Sequence, residues 1–384
     1  MNEERSPLVV WGEVITGYDF GPDHPLTPRR FGPGLDLVRR TGADRFLEPG
    51  EATDEQLGRL HERAYIRGVH AFSNDPWQPP RLGIGPGDCP PFHGMHPVSA
   101  AIAGGSMEAA QRIVAGEELH AFNPGGGLHH AMAGRASGFC IYNDVALGIA
   151  VARDAGHRVL SVDIDVHHGD GTQALFWDDP EVLTISVHES GRTLFPGTGS
   201  VSETGGVGAP GTVLNLPLDA YSGDLSWMAA VERSVEAMAE HFRPTFLVTQ
   251  HGCDSHAWDP LAHLRVTTAA YARVTRFLDV IAHRYCDGRW LATGGGGYDA
   301  YRVVPRSWAL VWLAQAHREP PDATPVAWQE RWTTDAEMFS GGPAPATYVD
   351  PPGTAAAEPE GFRERNHQTL ERAVNQALDM LPQG

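Results

Sequence analysis

Polar side chains alternate with aliphatic ones in the stretch from Val162 to His167. At the period of a β-strand, Asp163, Asp165 and His167 share one face and the aliphatic residues share the other. Burying carboxylates is unfavourable unless they are paired or bound to a metal. The stretch therefore predicts a buried strand whose polar face forms the floor of a metal site.

Strand-like and helix-like segments alternate through most of the chain. Besides the first stretch, we predict strands over 9–11, 119–122, 182–188, 245–250 and 290–293. We predict helices over 28–41, 56–70, 99–115, 142–155, 225–241, 267–284 and 302–316. This order is typical of an α/β protein with a mostly parallel sheet and helices on both faces. Several strands lead into polar, glycine-rich loops, where open α/β sheets bind ligands.

The composition changes at Glu319, after which prolines become frequent. We therefore expect a catalytic domain over 1–318 and a C-terminal extension over 319–384. The extension is predicted to be an extended, proline-rich tail followed by an amphipathic helix over 362–380.

Charge and hydropathy narrow the class of protein. The 29 basic residues, all of them arginine, are outnumbered by 48 acidic ones, giving a formal net charge of -19. Such a surface repels nucleic acid and anionic lipid. No apolar run approaches the roughly 18 residues of a membrane helix, and residues 1–14 do not resemble a signal peptide. We expect a cytoplasmic protein that binds neither nucleic acid nor membrane. The four cysteines form no CxxC motif, which argues against a disulfide framework or a thiolate zinc site.

A candidate metal-ligand set comes from two predicted strand ends. Asp165 and His167 are the first two ligands, and Asp254 follows the strand predicted over 245–250. Three protein ligands with oxygen and nitrogen donors leave a position open for water, as in catalytic zinc sites. Zn²⁺ is the first choice, and Fe²⁺ suits the same donors.

Two further loops carry groups that could act on a substrate. His129 and His130 are adjacent in a glycine loop, and Asp163 and Asp170 are carboxylates available to orient them. Tyr298 follows four glycines and could donate a hydrogen bond to a developing oxyanion. Exposed loop histidines and a flexible glycine linker are the structural alternatives.

These motifs resemble the zinc-dependent histone deacetylase family, in its bacterial acetoin-utilisation branch. The matching stretches follow the family's order and cover about residues 10–318. They are 88–90, 126–130, 136–144, 163–171, 195–199, 252–254 with 259–260, and 294–298. The resemblance implies an arginase-deacetylase fold with one zinc ion held by the three ligands named above.

The same resemblance implies roles for the polar residues. His130 would be the general base and then the acid toward the leaving amine, and His129 its electrostatic partner. Asp163 would pair with His129, and Asp170 with His130. Tyr298 would polarise the acetyl carbonyl.

It also implies a substrate channel. Phe139 and Phe195 would form apolar walls around the lysine methylenes, and Gly138 would leave room between them. Asp88 on the rim would hold the substrate backbone. Leu261 would line the channel wall, where a glutamate would instead suit a cationic polyamine.

Accessory sites follow from the same resemblance. Arg30 would lie on the path by which acetate leaves. A structural K⁺ or Na⁺ ion would lie near Asp163 and Ser186.

The implied activity is hydrolysis of N6-acetyl-lysine in proteins, and in this branch acyl-CoA synthetases are expected substrates. An acetylpolyamine or another small acetylamide is an alternative substrate for the same site. Two-metal ureohydrolase chemistry needs more carboxylates than the sequence offers, since Ser255 and His256 follow Asp254. An inactive acetyl-lysine-binding module is an alternative of another class.

Overall fold

The computed structural model describes residues 6–381. Residues 1–5 of the predicted catalytic domain and residues 382–384 of the predicted extension lie outside the described residues. Strands β1 to β8 span Leu8–Val10, Phe46–Leu47, His120–Asn123, Val159–Asp163, Val182–Glu189, Val213–Leu218, Phe246–Gln250 and Trp290–Thr293. Helices α1 to α11 span Phe31–Thr41, Asp54–Leu57, Arg63–Asn74, Met95–Val114, Asp144–Asp154, Asp170–Leu175, Asp224–Phe242, Thr268–Tyr285, Val304–Gln315, Val326–Ser340 and Phe362–Met380. Short 3-10 helices cover Glu13–Gly17 and Pro28–Arg30.

The eight strands form one parallel sheet in the order β2-β1-β3-β8-β7-β4-β5-β6. The last residues of neighbouring strands are in register: Asp163 pairs with Gln250, and Thr293 pairs with both Gln250 and Asn123. The loops that follow β3, β4, β7 and β8 therefore leave the same edge of the sheet. This confirms the prediction of a parallel sheet whose polar loops meet at one edge.

Helices cover both faces of the sheet, as predicted. On one face, α4 packs on β1, β3 and β8, and α5 packs on β4 and β7. On the other face, α7, α8, α9 and α11 pack on the strands, and α1 packs on α9. Small residues let α4 approach closely: a Cβ atom on Gly105 would lie 2.6 Å from Val10. Because both faces are covered, strand residues such as Val159, Leu160 and Val162 are fully buried.

The strand predicted around Asp165 ends earlier than the alternating sequence pattern does. β4 ends at Asp163, so Asp165 and His167 lie in a loop rather than on a strand face, contrary to the period-two interpretation. Ile164 and Val166 remain fully buried. Hydrogen bonds fix this loop, because Ile164 N donates to the Gln250 carbonyl at 3.1 Å and Val166 N donates to Asp254 Oδ1 at 2.8 Å.

The interpretation of the proline-rich segment as an extended tail is wrong over α10. The Trp328 side chain of this helix is fully buried, and its ring nitrogen donates to the Pro33 carbonyl at 2.9 Å. The amphipathic helix predicted over 362–380 is present as α11, which packs on α7 and β6. The extension is therefore packed onto the α/β unit along much of its length.

A buried ion pair fixes the segment between α10 and α11. Asp350 Oδ1 accepts from the Arg306 guanidinium at 2.6 Å, and Oδ2 accepts from the Thr268 backbone and hydroxyl at 2.8 and 2.9 Å. Oδ2 also lies 2.8 Å from His256 Nε2.

Within residues 6–381, no helix combines the length and the apolar character needed to cross a membrane.

Candidate active site

Asp165, His167 and Asp254 converge beyond the ends of β4 and β7. Nδ1 of His167 lies 3.1 Å from Asp165 Oδ1 and 3.1 Å from Asp254 Oδ2. All three side chains are buried. Two buried carboxylates beside one imidazole form a compact oxygen and nitrogen donor set of the kind that holds a metal ion.

In each carboxylate, one oxygen accepts from groups outside the ligand set and the other is directed at the common centre. Asp165 Oδ2 accepts from Gln250 Nε2 and from Gly296 N, both at 2.8 Å. Asp254 Oδ1 accepts from Val166 N at 2.8 Å. The other oxygens, Asp165 Oδ1 and Asp254 Oδ2, face His167 Nδ1, and Asp165 Oδ1 also accepts from His167 N at 3.0 Å. This division of contacts fits a single cation with oriented ligands.

The glycines around these carboxylates are needed for close packing. A Cβ atom on Gly252 would overlap the Asp165 carboxylate, and one on Gly296 would overlap the Asp254 carboxylate. The glycine-rich loop after β8 therefore lets the backbone approach the metal-ligand set.

The electrostatics of the two carboxylates also favour a cation. Burial, together with the neighbouring Asp165 charge, raises the pKa of Asp254 to about 6. Burial would raise the pKa of Asp165 as well, but His129 and His167 hold it well below its usual value. The negative charges of Asp165 and Asp254 disfavour each other, and a bound cation would stabilise both ionised carboxylates.

His129 and His130 form two parallel pairs with carboxylates. His129 Nδ1 lies 2.6 Å from Asp163 Oδ2, and His130 Nδ1 lies 2.6 Å from Asp170 Oδ1. The two Nε2 atoms are 3.1 Å apart, and His129 Nε2 is 3.9 Å from Asp165 Oδ1. The structure thus brings together the pairs expected from the sequence and turns both rings toward the metal-ligand set.

These two histidines differ in their affinity for a proton. Burial lowers the pKa of His130 to about 4, and the charge on His129 adds to this effect. Burial would also lower the pKa of His129, but the carboxylates of Asp163 and Asp165 raise it to about 9. The charges around the two histidines therefore favour the proton on His129 over His130.

The loop after β8 positions Tyr298 beside this pair. Tyr298 N donates to Asp259 Oδ2 at 2.9 Å, and Arg30 donates to the Gly295 carbonyl at 2.7 Å. Burial and the nearby carboxylates of Asp254 and Asp165 raise the pKa of Tyr298 well above its usual value. The phenol therefore remains protonated and can donate a hydrogen bond.

Aromatic residues and glycine form the walls above the site. The Phe195 ring centroid lies 5.1 Å from that of His130, and the Phe139 centroid lies 6.0 Å from that of Tyr298. Gly138 has φ +53°, and a Cβ atom there would overlap the His130 ring. Asp88 is exposed at the rim and accepts from Gly138 N at 2.5 Å.

A narrow cavity of about 20 Å³ lies between these groups. Its lining includes Leu26, Arg30, Gly127, His129, His130, Phe139, Asp165, His167 and Tyr298. Among the described residues, Leu261 is not part of the cavity lining. Its backbone N donates to Asp259 Oδ1 at 2.9 Å. The buried Arg30 lies at the inner side, where burial lowers its pKa and its cation faces the site carboxylates.

Asp163 and Ser186 are neighbours across β4 and β5, as a shared cation site requires. They are in register in the parallel pair. Asp163 Oδ1 accepts from Asp165 N at 3.1 Å, and Ser186 Oγ lies 2.9 Å from His188 Nδ1.

Three residues at the site were not identified from the sequence. Gln250 orients Asp165, and Asp144 accepts from the backbone N atoms of Gly127 and Leu128 at 2.9 and 2.8 Å. Leu26 lines the cavity. Asn143, the N-cap of α5, and Asp144, its first residue, carry a helix-capping signal that could have pointed to this position. Gln250 and Leu26 carry no such signal, because they resemble an ordinary strand end and an ordinary loop residue.

Comparison with known proteins gives consistent results. A family model described as "Histone deacetylase domain" matches residues 24–315. The acetoin utilization protein AcuC of Bacillus subtilis (strain 168) is 38% identical over 379 residues, covering 96% of this chain and 97% of that protein. AcuC of Staphylococcus xylosus is 34% identical, covering 86% of this chain and 88% of that protein.

Solved structures agree with the sequence relatives. A crystal structure of an HDAC homolog complexed with SAHA superposes with a TM-score of 0.83 at 27% identity, covering 97% of this chain and 100% of that one. An HDAC homolog from Aquifex aeolicus gives a TM-score of 0.82 at 27% identity, covering 96% of this chain and 99% of that one.

Proposed function

The chain belongs to the histone deacetylase family and has the arginase-deacetylase fold, and from this premise we propose that it hydrolyses N6-acetyl-lysine side chains of proteins to lysine and acetate. Family, fold and similarity to AcuC together support deacetylase activity. The observation that carries the proposal is the placement of the His129–His130 pair, with its two carboxylates, against the metal-ligand set of Asp165, His167 and Asp254.

We propose Zn²⁺ as the ion at this ligand set, with Fe²⁺ as an alternative that suits the same donors. When bound, the ion would supply Lewis-acid activation of the acetyl carbonyl and of a water molecule. Asp165, His167 and Asp254 would hold it, and Gln250 and Gly296 would keep Asp165 in position.

The protein's own groups would move the protons. Neutral His130 would accept a proton from the attacking water at Nε2, while Asp170 holds its Nδ1–H. His130 would then return that proton to the leaving amine. His129, kept protonated by Asp163, would remain a positive neighbour, and the Tyr298 hydroxyl would donate to the developing oxyanion.

The walls of the site favour an apolar side chain. Phe139 and Phe195 would flank the lysine methylenes, and Gly138 leaves the gap between them. Asp88 would bind the substrate backbone at the rim, and Leu261, which lies outside the cavity lining, would not supply the negative charge that a polyamine needs.

Accessory features are proposed on the same basis. Arg30 would guide acetate from the inner end of the cavity, and a K⁺ or Na⁺ ion would lie near Asp163 and Ser186. We propose a catalytic unit over 1–318 with an extension over 319–384, acting in the cytoplasm on acetylated proteins such as an acyl-CoA synthetase. The net charge of -19 favours basic protein surfaces over nucleic acid or anionic membranes.

The test is deacetylation of a fluorogenic acetyl-lysine peptide by metal-free protein and by protein reconstituted with Zn²⁺ or Fe²⁺. We expect metal-dependent turnover that Asp165→Ala abolishes. Tyr298→Phe should lower kcat by about 10²–10³-fold, the usual effect of losing one oxyanion donor. Tyr301→Phe, a nearby tyrosine outside the cavity lining, is the matched control and should retain wild-type kcat.

Acetylputrescine assayed in parallel separates the alternative substrates. Turnover of acetylputrescine alone would keep the site but replace the proposed substrate with a polyamine. Metal-loaded protein that binds the acetyl-lysine peptide without turning it over would favour the inactive binding module and would overturn the proposed activity.

A further inference from the structure

A second group of potential metal ligands lies at the opposite edge of the sheet. His120 opens β3, Asp279 and His283 are one turn apart on α8, and His317 follows the end of α9. Their donor atoms all lie within 4.8 Å of one another. The loop that carries His129 and His130 follows the carboxyl end of β3, whereas this cluster is at its amino end, so the two groups lie beyond opposite ends of the strand.

Four separations between the donor atoms are close to those around a tetrahedral ion. Asp279 Oδ1 lies 3.8, 3.6 and 3.2 Å from the Nε2 atoms of His120, His283 and His317, respectively. The Nε2 atoms of His283 and His317 are 3.1 Å apart. Ligands at zinc bond lengths of about 2.0–2.1 Å in a tetrahedron are separated by about 3.3–3.4 Å. The same separations at the catalytic ligand set are 3.1 Å.

The imidazole rings are oriented for this geometry. Their centroids are 4.9–5.4 Å apart, and each pair meets at a steep angle, so the rings converge without stacking. His120 Nδ1 lies 2.7 Å from the Gln315 carbonyl and donates to it, which directs Nε2 toward the cluster. A backbone carbonyl on the distal nitrogen is the usual way of fixing the tautomer of a metal-binding histidine.

The backbone at His317 adopts a conformation that histidine uncommonly takes. His317 has φ +53° and lies directly after Ala316, the C-cap of α9, where glycine is the usual residue. In that position the side chain reaches His283 and Asp279. A residue held in the left-handed region with its donor atom in a ligand cluster points to a role for the side chain itself.

We propose that His120, Asp279, His283 and His317 bind one divalent transition-metal ion, with Zn²⁺ as the first candidate. Three imidazoles and one carboxylate complete a four-coordinate shell and leave no position for a substrate, so the site is structural rather than catalytic. His283 and His317 are 38% and 28% exposed, which gives the ion access from solvent. The ion would join β3, α8 and the residue that follows the C-cap of α9, just before the C-terminal extension.

The test is the number of zinc ions per chain, measured by elemental analysis after reconstitution and removal of excess metal. We expect two ions in the wild type, one in His283→Gln, one in Asp165→Ala and none in the double variant. His241→Gln is the matched control, because His241 is also an exposed histidine in the last turn of a long helix and lies outside the cluster. That variant should keep two ions.

Two further measurements separate this site from the catalytic one. Added Zn²⁺ should raise the Tm of Asp165→Ala but leave that of the double variant unchanged. Co²⁺ in Asp165→Ala should give the visible absorption of tetrahedral cobalt. If the wild type and His283→Gln bind equal numbers of ions, the proposal is overturned, and the cluster is a hydrogen-bonded network only. That comparison holds even if Asp165→Ala does not fold.

Discussion

His129 and His130 have the same side chain and adjacent positions, yet their surroundings give them different affinities for a proton. Each has a carboxylate on Nδ1 at 2.6 Å. The difference arises because His129 also lies beside Asp165, whereas His130 lies beside the positive charge of His129. Two adjacent histidines in one site thus differ in the direction in which their surroundings shift the pKa.

Replacing His130 with alanine should remove the proton acceptor while leaving the metal-ligand set in place. We expect kcat on an acetyl-lysine peptide to fall by about 10²–10⁴-fold, the usual contribution of a general base. Zinc content measured on the same preparation should not change. His367→Ala, an exposed histidine on α11, serves as the control; equal activity of both variants would remove His130 from the mechanism.

Gly138→Ala tests how tightly the wall of the site positions His130. The added Cβ atom would overlap the His130 ring, so the ring must move. A displacement of about 1 Å typically lowers activity by about 10²-fold, which steady-state kinetics would detect.

The control for Gly138→Ala is Gly116→Ala. Gly116 has φ +72°, so alanine is disfavoured there as well, but nothing lies within 4 Å of its added Cβ atom. Equal loss of activity in both variants would attribute the effect to backbone strain rather than to contact with His130.

At this scale the sequence predicted the residues whose side chains have distinctive chemistry. Asp165, His167 and Asp254 could be grouped from their positions at strand ends. Gln250 could not, because its role depends on a β7 residue meeting Asp165 across the sheet. Leu26 could not either, because an apolar loop residue gives no indication of the cavity that it lines.

Asn143, the N-cap of α5, connects the loop that carries His129 to the buried His61. Asn143 caps the helix by accepting from Ala146 N at 2.9 Å, and its amide donates to the His129 carbonyl at 3.1 Å. Asn143 N in turn donates to His61 Nε2 at 3.0 Å, while His61 Nδ1 donates to the Met132 carbonyl at 3.0 Å. Protonation of His61 Nε2 would break the contact with Asn143.

The stability of the protein should therefore depend on pH through His61. Burial lowers the pKa of His61 to about 4 from an ordinary value of 6.5. Between these values the unfolded chain binds one more proton than the folded one, so the free energy of unfolding falls as pH decreases from about 6.5 to about 4. The loss attributable to this residue is about 3 kcal/mol at most.

Urea unfolding of wild type and His61→Gln at pH 7 and pH 5 measures this contribution. The variant should be less stable at pH 7 and should show a smaller change between the two pH values. An unchanged difference between pH 7 and pH 5 would mean that His61 is not the residue responsible.

Elements with strong periodicity were predicted best, and elements defined by tertiary packing were missed. β8 and α11 were predicted with the bounds that the structure shows. β6 contains Pro217, which disfavours a central strand, but β6 is the last strand of the sheet and needs no partner on its outer side. α10 was missed because its neighbours are rich in proline and its stability depends on burial of Trp328.

Across the whole molecule, the C-terminal extension is joined to the α/β unit through charge as well as apolar packing. Arg306 and Asp350 are both buried, and burial would raise the pKa of Asp350 except that His256 and Arg306 hold it below its usual value. The carboxylate is therefore ionised in the folded protein and balances the guanidinium.

Asp350→Asn should destabilise the protein by about 3–5 kcal/mol, because it leaves the buried Arg306 without its counter-charge. Glu371→Gln, which removes an exposed ion pair with Arg233, should leave stability unchanged. Denaturant unfolding of both variants provides the comparison. Equal stability of the two would show that the extension does not depend on this ion pair.

The strand order also determines when the protein can become complete during its synthesis. β1 to β3 and β4 to β6 leave the ribosome first, but β7 and β8, made last, lie between these two groups. Until both central strands are inserted, β3 and β4 are open edges that can pair with other chains. Asp254 and Tyr298 follow these last two strands, so a nascent chain has no complete active site. Insertion of the two late central strands therefore removes the open edges of the sheet and completes the set of site residues in the same step.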